Sequence, residues 1–327
     1  MKEKYKQRMQ EWFNGLLKRS DIFERLADIS EGIDSLDREQ GYVDQGTQLL
    51  LKAHYQQLAD RGVVLPFSDV GFRNHSQSEE DGILWYLFSL IGVTNRLAVE
   101  VCAGDGRECN SANLILNHGW DALLVDGNKK NIRVARDFYR RHRGSFLAGP
   151  TIVQGWVSAE NINEIVESNG YSGDIDLLTI DVDGIDYWLW KALDVASPRV
   201  VAIESNLFWF IDRPVTVKYT PDFRAKWIKI PDELREHPDF LRREGFFSNW
   251  VVQAGASLPA LVKLAEHKGY RLVGTSRHFY NAFFVRNDVA ADILPEVTME
   301  SCYPDPRTLA HHRLIRSLIE EFEWEDV

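Results

Sequence analysis

The chain has 327 residues, of which 44% are hydrophobic and 27% charged, so it can bury a large core like an ordinary globular protein. Its formal net charge of −11 gives a surface that repels nucleic acids and anionic membranes. Three cysteines without a CxxC pair argue against a disulfide framework and a structural zinc site, and no apolar leader or membrane span is visible. We therefore expect a soluble cytoplasmic protein that binds neither nucleic acids nor membranes.

The first 62 residues are predicted to form a helical N-terminal extension. Apolar residues recur there at helical spacing, and glycine and aspartate near residues 32–46 divide the segment into at least two helices. The polar faces carry no recognisable chemistry. We interpret the extension as an appendage that packs on the main domain or forms a homo-oligomer with a second subunit.

Strand-like and helix-like segments alternate from residue 97 to residue 206. The predicted strands are LAVEVCA, DALLVDG, TIVQGWVS, IDLLTIDVDG and RVVAIESN. This alternation predicts an α/β fold with a Rossmann-like, doubly wound parallel sheet. Two further strands, RLVGT and AFFVR, follow a helix and are joined by a short loop, so the seventh and last strand should be antiparallel.

Three further segments complete the predicted domain organisation. The main domain covers residues 63–290, and the irregular stretch at 206–256 is rich in aromatic residues and prolines. We expect that stretch to be an inserted lid over the substrate. Residues 291–327 are predicted to form a C-terminal tail of loops and a helix.

A turn with two glycines follows the first strand, at the edge where open α/β sheets bind ligands. Gly104 and Gly106 leave the backbone uncovered there, and Asp126 ends the next strand 20 residues after Gly106. A carboxylate at that position can accept hydrogen bonds from both hydroxyls of a ribose. The pattern indicates a nucleoside-bearing cofactor, either NAD or S-adenosylmethionine.

The residues around the turn favour S-adenosylmethionine. Cys109 occupies the place of the third glycine in the dinucleotide fingerprint G-x-G-x-x-G. Glu100, Asp105 and Glu108 are acidic, which suits a sulfonium cation and an α-amino group better than a pyrophosphate. An NAD-dependent oxidoreductase remains the enzymatic alternative. The non-enzymatic alternative is a nucleoside-binding scaffold protein that assembles through residues 1–62.

The segment E-V-C-A-G-D-G at 100–106 resembles the E-x-G-x-G-x-G motif of class I S-adenosylmethionine-dependent methyltransferases, and the reversed last strand is also typical of that family. Three segments resemble its FkbM-like branch: S-Q-S-E-E-D-G-I at 76–83, I-D-V-D-G at 180–184 and N-A-F-F-V-R at 281–286. The resemblance covers about residues 70–290. The sequence departs from the motif of the resembled family at Cys102, where that motif has its first glycine.

The resemblance implies a methyltransferase that acts on a small molecule, most simply on a sugar-derived or secondary-metabolite hydroxyl. It implies cofactor roles for Glu100, Gly104, Gly106 and Asp126. In such enzymes the loop after the third strand holds the adenine, and here that loop contains Ser158, Ala159 and Glu160. Glu160 is equally well explained as an acid at the start of a helix.

Two clusters of mainly acidic residues flank the expected cofactor site. Gln77, Glu80 and Asp81 precede the first strand and either close over the cofactor or cap the helix that begins at residue 82. Asp181 and Asp183 follow the fourth strand on one face, and Glu204 ends the fifth strand. Their oxygens would suit Mg²⁺ or Mn²⁺. Alternatively, Asp181 is a general base or a partner of nearby backbone groups.

Histidines are the remaining candidates for a catalytic base. His278 lies in the loop between the last two strands, and His75 precedes the SQSEED segment. An imidazole titrates close to neutral pH, as a base for an alcohol acceptor requires. We predict that His278 and Asp181 are catalytic.

Overall fold

The computed structural model describes residues 42–145, 147–205, 210–240, 250–277, 280–303 and 306–327. The predicted helices within residues 1–41 lie outside these ranges, as does the predicted catalytic residue His278. The last part of the N-terminal extension is confirmed as a helix, Gln45–Ala59, which Asp44 caps by accepting the N–H of Thr47 at 3.0 Å. Within the described ranges, no helix combines the length and the apolar character that a membrane span requires.

A sheet of seven strands forms the centre of the protein, in the order β3-β2-β1-β4-β5-β10-β9. Strands β1 to β5 pair in parallel, and β10 runs antiparallel between β5 and β9. The predicted fold, including the reversed last strand, is therefore confirmed. The seven strands are β1 (Leu97–Val101), β2 (Asp121–Asp126), β3 (Thr151–Gln154), β4 (Gly173–Ile180), β5 (Ala196–Glu204), β9 (Tyr270–Thr275) and β10 (Asn281–Arg286).

Helices cover both faces of this sheet. The α-helices of the described ranges are α1 (Gln45–Ala59), α2 (Glu80–Ile91), α3 (Ala112–His118), α4 (Lys129–Arg141), α5 (Ile162–Ser168), α6 (Asp186–Ala192), α7 (Asp232–Arg235), α8 (Leu258–Lys268) and α9 (Pro306–Ile319). Of these, α7 and α9 pack in a separate core away from the sheet. Alternate residues of β4 enter different cores: Leu178 joins a core with α5, α6 and α8, whereas Leu177 joins one with α1, α2 and α3. This alternation decides which strand-end side chains meet.

The inserted segment and the C-terminal tail form one further layer. Strand β6 (Val215–Val217) pairs antiparallel with β11 (Trp324–Asp326), and β7 (Lys226–Lys229) pairs antiparallel with β8 (Trp250–Gln253). A third apolar core joins the insertion to α9, and Phe210, Val215, Ile315 and Ile319 are buried in it. The tail thus supports the insertion that was predicted to be a lid.

Candidate active site

The turn after β1 is held in left-handed conformations. Cys102, Gly104 and Gly106 have φ values of +68°, +56° and +73°. A Cβ on Gly106 would lie 2.9 Å from Tyr139, so this glycine lets α4 pack against the turn, whereas a Cβ on Gly104 would meet open space. Gly104 is therefore the residue that exposes backbone to a ligand. Cys102 adopts a strained conformation that a glycine would adopt freely.

Asp126 and the glycine turn form one hydrogen-bonded unit. The buried carboxylate accepts the N–H of Gly104 at 3.0 Å and that of Asn128 at 2.7 Å, and the amide of Asn131 donates at 3.3 Å. A carboxylate offers about four lone-pair sites, and the fourth contacts only the Cys102 thiol at 3.9 Å, a weak bond that a ribose hydroxyl would displace. A ribose that also displaced the long bond from Asn131 would gain a second.

Glu100 faces away from the open side of the turn. Its carboxylate accepts the N–H groups of Asn110 and Ser111 at 2.7 and 2.8 Å and also bonds the Ser111 hydroxyl. Burial raises the pKa of Glu100, while these hydrogen bonds lower it. The visible role of Glu100 is to fix the segment that leads into α3, and its predicted contact with a cofactor stays a prediction.

The acidic loop before α2 is organised by Asp81. One oxygen of this buried side chain accepts the N–H groups of Asn74, His75 and Ser76 at 2.6–2.7 Å, whereas the other oxygen is buried without a hydrogen-bond partner in the described ranges. Gln77 lies exposed at the tip of the loop. Asp81 therefore shapes the loop, and Gln77 is the member of the pair that is open to a ligand.

The insertion reaches the loop after β3. Tyr219 donates its hydroxyl to Glu160 at 2.5 Å and accepts the N–H of Ala159 at 3.0 Å, while the N–H of Ser158 bonds to Asn161. The bond from Tyr219 lowers the pKa of Glu160. The predicted adenine loop is thus the place where the insertion meets the main sheet.

Trp156 is a candidate site residue that the sequence interpretation missed. The strand TIVQGWVS was predicted to include it, but β3 ends at Gln154. The indole is 71% exposed and lies against Gly127, where an added Cβ would be 2.3 Å from the ring. It therefore stands directly beside Asp126. The signal that could have identified this residue is an exposed tryptophan placed just beyond the end of a strand.

Three carboxylates meet at the ends of β4 and β5, as the sequence predicted. One oxygen each of Asp181, Asp183 and Glu204 lies within 4.8 Å of the other two. The side chains of Asp181 and Glu204 share one face of the sheet, and Asp183 has a left-handed φ of +53° and donates its N–H to Glu204 at 3.1 Å. Within the described ranges, no lysine, arginine or histidine forms an ion pair with the three carboxylates.

Mutual repulsion and burial make this acidic cluster hard to ionise. Desolvation, followed by the charge of Asp186, raises the pKa of Asp181 well above its usual range. Desolvation and Asp181 do the same to the pKa of Glu204. Burial raises the pKa of Asp186 to about 7, although its oxygens accept the N–H groups of Val182 and Gly184. A cation bound between these groups would relieve the repulsion.

The stability of the metal-free protein should depend on the proton of Asp186. Its folded pKa, about 7, lies above the ordinary value of 3.8, so folding retains a proton that the unfolded chain releases. Titration of Asp186 should therefore lower the free energy of unfolding by up to about 1.4 kcal/mol per pH unit as the pH rises between these values, in addition to the contributions of Asp181 and Glu204, whose pKa values are also raised. Chemical denaturation in a chelator should show this slope, and Asp186→Asn should flatten it; equal slopes in both proteins would contradict the assignment.

The insertion closes over these strand ends through Phe223. A Cβ on Gly184 would lie 2.4 Å from the Phe223 ring, so the glycine allows this close approach. Arg224 places its guanidinium 5.6 Å from the centre of the Trp156 ring. The candidate site thus lies between the glycine turn, the acidic cluster and residues 219–224. His75, by contrast, is a half-buried loop residue whose backbone bonds to Asp81.

Comparison with known proteins identifies no family from sequence. No family model matches the chain, and no curated protein is similar to it at a significant level. Among solved structures, the N-terminal domain of EvdMO1, solved with SAH and D-fucose, is 13% identical with a TM-score of 0.38 over 70% of this chain and 94% of that one.

Two further solved structures resemble this chain with comparable sequence identity and TM-score. The glycopeptide N-methyltransferase MtfA, in complex with SAH, is 13% identical with a TM-score of 0.39 over 68% of this chain and 97% of that one. The magnesium protoporphyrin IX methyltransferase ChlM from Synechocystis PCC 6803, with bound SAM, is 12% identical with a TM-score of 0.37 over 75% and 98%. Similarity this low assigns no activity, and the fold rests on the strand order itself.

Proposed function

We propose that the protein is an S-adenosylmethionine-dependent methyltransferase that methylates a hydroxyl of a small sugar-derived or secondary-metabolite acceptor. The observation that carries this proposal is the antiparallel β10 between β5 and β9, combined with the Gly104 turn bonded to Asp126. The dinucleotide-binding fold has the strand order 3-2-1-4-5-6 instead. Assignment to the FkbM-like branch, and with it the acceptor class, rests on the three sequence segments described above.

The residues of the site fit the proposed cofactor. Asp126 would accept from the ribose, and Trp156 offers an aromatic face for the adenine beside the loop at 158–160. Because Gly104 has no side chain, the ligand can approach the backbone of the turn closely. S-adenosylmethionine supplies a methyl group on a sulfonium cation, and that positive charge would favour the ionised form of the nearby carboxylates.

The strand-end carboxylates also fit a divalent cation. Asp181, Asp183 and Glu204 would hold Mg²⁺ or Mn²⁺. Two more oxygens, Ser205 Oγ and Asn281 Oδ1, are buried without a hydrogen-bond partner in the described ranges, and Asn281 is the register partner of Glu204. A bound cation would acidify the acceptor hydroxyl. Without a cation, the ionised form of Asp181 is the group placed to accept the hydroxyl proton, and its raised pKa makes that carboxylate a stronger base.

A ligand-binding measurement separates this proposal from its alternatives. Thermal unfolding should shift to higher temperature with S-adenosylhomocysteine and not with NAD, because only a bound ligand stabilises the folded state. Stabilisation by NAD alone would favour an oxidoreductase. A scaffold protein without a working pocket would respond to neither compound.

Asp126→Ala should weaken binding of S-adenosylhomocysteine by roughly 100-fold. One or two hydrogen bonds to a charged acceptor would be lost, which corresponds to about 2–4 kcal/mol. Isothermal titration calorimetry measures the change. Asp121→Ala, at the opposite end of β2, is the matched control and should bind normally. Normal binding by Asp126→Ala would remove Asp126 from the cofactor site.

A further inference from the structure

A separate cavity of about 810 Å³ lies at the opposite edge of the sheet, beside the amino ends of β1 and β2. Residues of α1 and α2 and the segments that precede the two strands line it. Its size is typical of a small-molecule site. None of its lining residues belongs to the candidate active site at the carboxyl edge.

Positive charge is concentrated in this cavity. Lys52, Arg96 and Arg143 line it, and no aspartate or glutamate does. Within the described ranges, none of the three forms an ion pair with a carboxylate. The net charge of the chain is −11, so three cations that have no carboxylate partner among the described residues run against the overall composition where they line one cavity. Such a cavity focuses a positive potential that attracts anions.

His118 lines the cavity together with Lys52 and Arg96. Burial and, to a smaller extent, the charges of Lys52 and Arg96 together lower the pKa of His118 to about 4. Nε2 of His118 bonds to Gln48 Oε1 at 2.7 Å, and the amide nitrogen of Gln48 donates elsewhere, so Nε2 carries the proton of a neutral imidazole. The histidine therefore adds no charge of its own at neutral pH.

Arg96 occupies its position at the cost of backbone strain. Its φ is +58°, a left-handed conformation that glycine adopts freely and arginine does not. The conformation is fixed because the N–H of Arg96 donates to Asp176 at 2.7 Å and its carbonyl accepts from Asp121 at 3.0 Å. Strained residues of this kind are concentrated at binding sites. Arg96 thus lines the cavity from a strained backbone position.

Apolar and aromatic side chains form part of the remaining wall, beside the polar side chains of Gln45, Asn117 and His142. Trp85 and His118 stack with their ring centres 3.7 Å apart and their planes inclined by 16°. Leu49 and Val93 line the same cavity and are 53% and 38% exposed. A ligand that fills this volume therefore has an apolar portion as well as a negative charge.

We propose that this cavity binds an organic phosphate, a small molecule that combines a phosphate group with an apolar ring. Three cations favour a group that carries two negative charges over a carboxylate that carries one. The planar guanidinium groups of Arg96 and Arg143 match the geometry of phosphate oxygens. The apolar ring would lie against the wall that contains Leu49 and Val93.

Phenyl phosphate is a suitable probe for calorimetry on the full chain at constant ionic strength, with benzoate and inorganic phosphate as comparisons. We expect saturable binding of phenyl phosphate, with benzoate and inorganic phosphate both weaker because each lacks one recognised feature. Arg96→Gly should raise its Kd about tenfold or more while the unfolding temperature stays equal or rises, because the strain is relieved. Lys52→Gln should weaken binding similarly.

Arg61→Gln is the matched control, because it removes one exposed positive charge of the same region outside the cavity. It should leave the Kd for phenyl phosphate unchanged. Binding of S-adenosylhomocysteine should be normal in all these variants, which separates this site from the proposed active site. The proposal is overturned by an absence of saturable binding, by normal binding in both Arg96→Gly and Lys52→Gln, or by benzoate binding as tightly as phenyl phosphate.

Discussion

Asp181→Asn is expected to reduce turnover by about a thousandfold while the affinity for S-adenosylhomocysteine stays within a few-fold of the normal value. Asp181 lies at the end of β4 with Asp183 and Glu204, whereas Asp126 lies at the end of β2 and would hold the ribose. Losing a positioned base typically costs a factor of 10² to 10⁴, and losing a ligand of a catalytic cation has a comparable effect. Single-turnover assays and calorimetry measure the two quantities.

The same substitution should stabilise the metal-free protein at neutral pH. Asp181 and Glu204 each raise the other's pKa, so removing one carboxylate relieves repulsion within the cluster. Glu164→Gln is the matched control, because it removes one negative charge from an exposed position on α5 and should leave stability unchanged. A lower unfolding midpoint for Asp181→Asn would show that Asp181 is held by favourable contacts instead.

Manganese distinguishes the two roles that Asp181 has in the proposal. If Asp181 is a cation ligand, Mn²⁺ should raise the unfolding temperature of the unmodified protein and have a much smaller effect on Asp181→Asn. If Asp181 is a general base, turnover should be lost in the variant although Mn²⁺ stabilises neither protein. Turnover that survives the substitution would remove Asp181 from the mechanism altogether.

The sheet was predictable because each of its strands has a local signature. Runs of apolar residues such as those of β4 alternate with helical segments, and the short loop between β9 and β10 requires an antiparallel pair. The pairing of β6 with β11 carries no such signature, because three-residue strands about 100 residues apart are specified by tertiary packing alone. Sequence reasoning therefore left both segments as irregular.

The candidate site was predictable where strand geometry decides it. Residues 181 and 183 follow one strand and residue 204 ends its neighbour, so parallel pairing brings the carboxylates together. The hydrogen-bond partners of a buried acid cannot be predicted in this way, because they depend on how the loops fold back onto the sheet. No local pattern indicated that the oxygens of Glu100 bond Asn110 and Ser111, which are ten and eleven residues further along the chain.

Buried charge inside the sheet is the feature that sequence reasoning passed over most completely. Asp176 lies within the apolar run of β4 and is fully buried. Its carboxylate pairs with Arg199 at 2.8 Å and accepts the N–H groups of Thr94, Asn95 and Arg96 at 2.7–3.0 Å. Arg199 in turn donates to the carbonyls of residues 91 and 92 at the end of α2. One ion pair thus fastens the loop before β1 to the sheet.

Asp176→Ala should lower the free energy of unfolding by about 3–5 kcal/mol, because it leaves Arg199 buried without its counter-ion and three N–H groups without an acceptor. Asp174→Ala is the matched control. Asp174 lies two residues earlier on β4 and pairs with Arg286 at 2.7 Å, but its side chain is 66% exposed, so its loss should cost at most about 1 kcal/mol. Chemical denaturation of the two variants compares ion pairs of nearly equal length that differ in burial. Equal losses would mean that burial does not set the contribution of this pair.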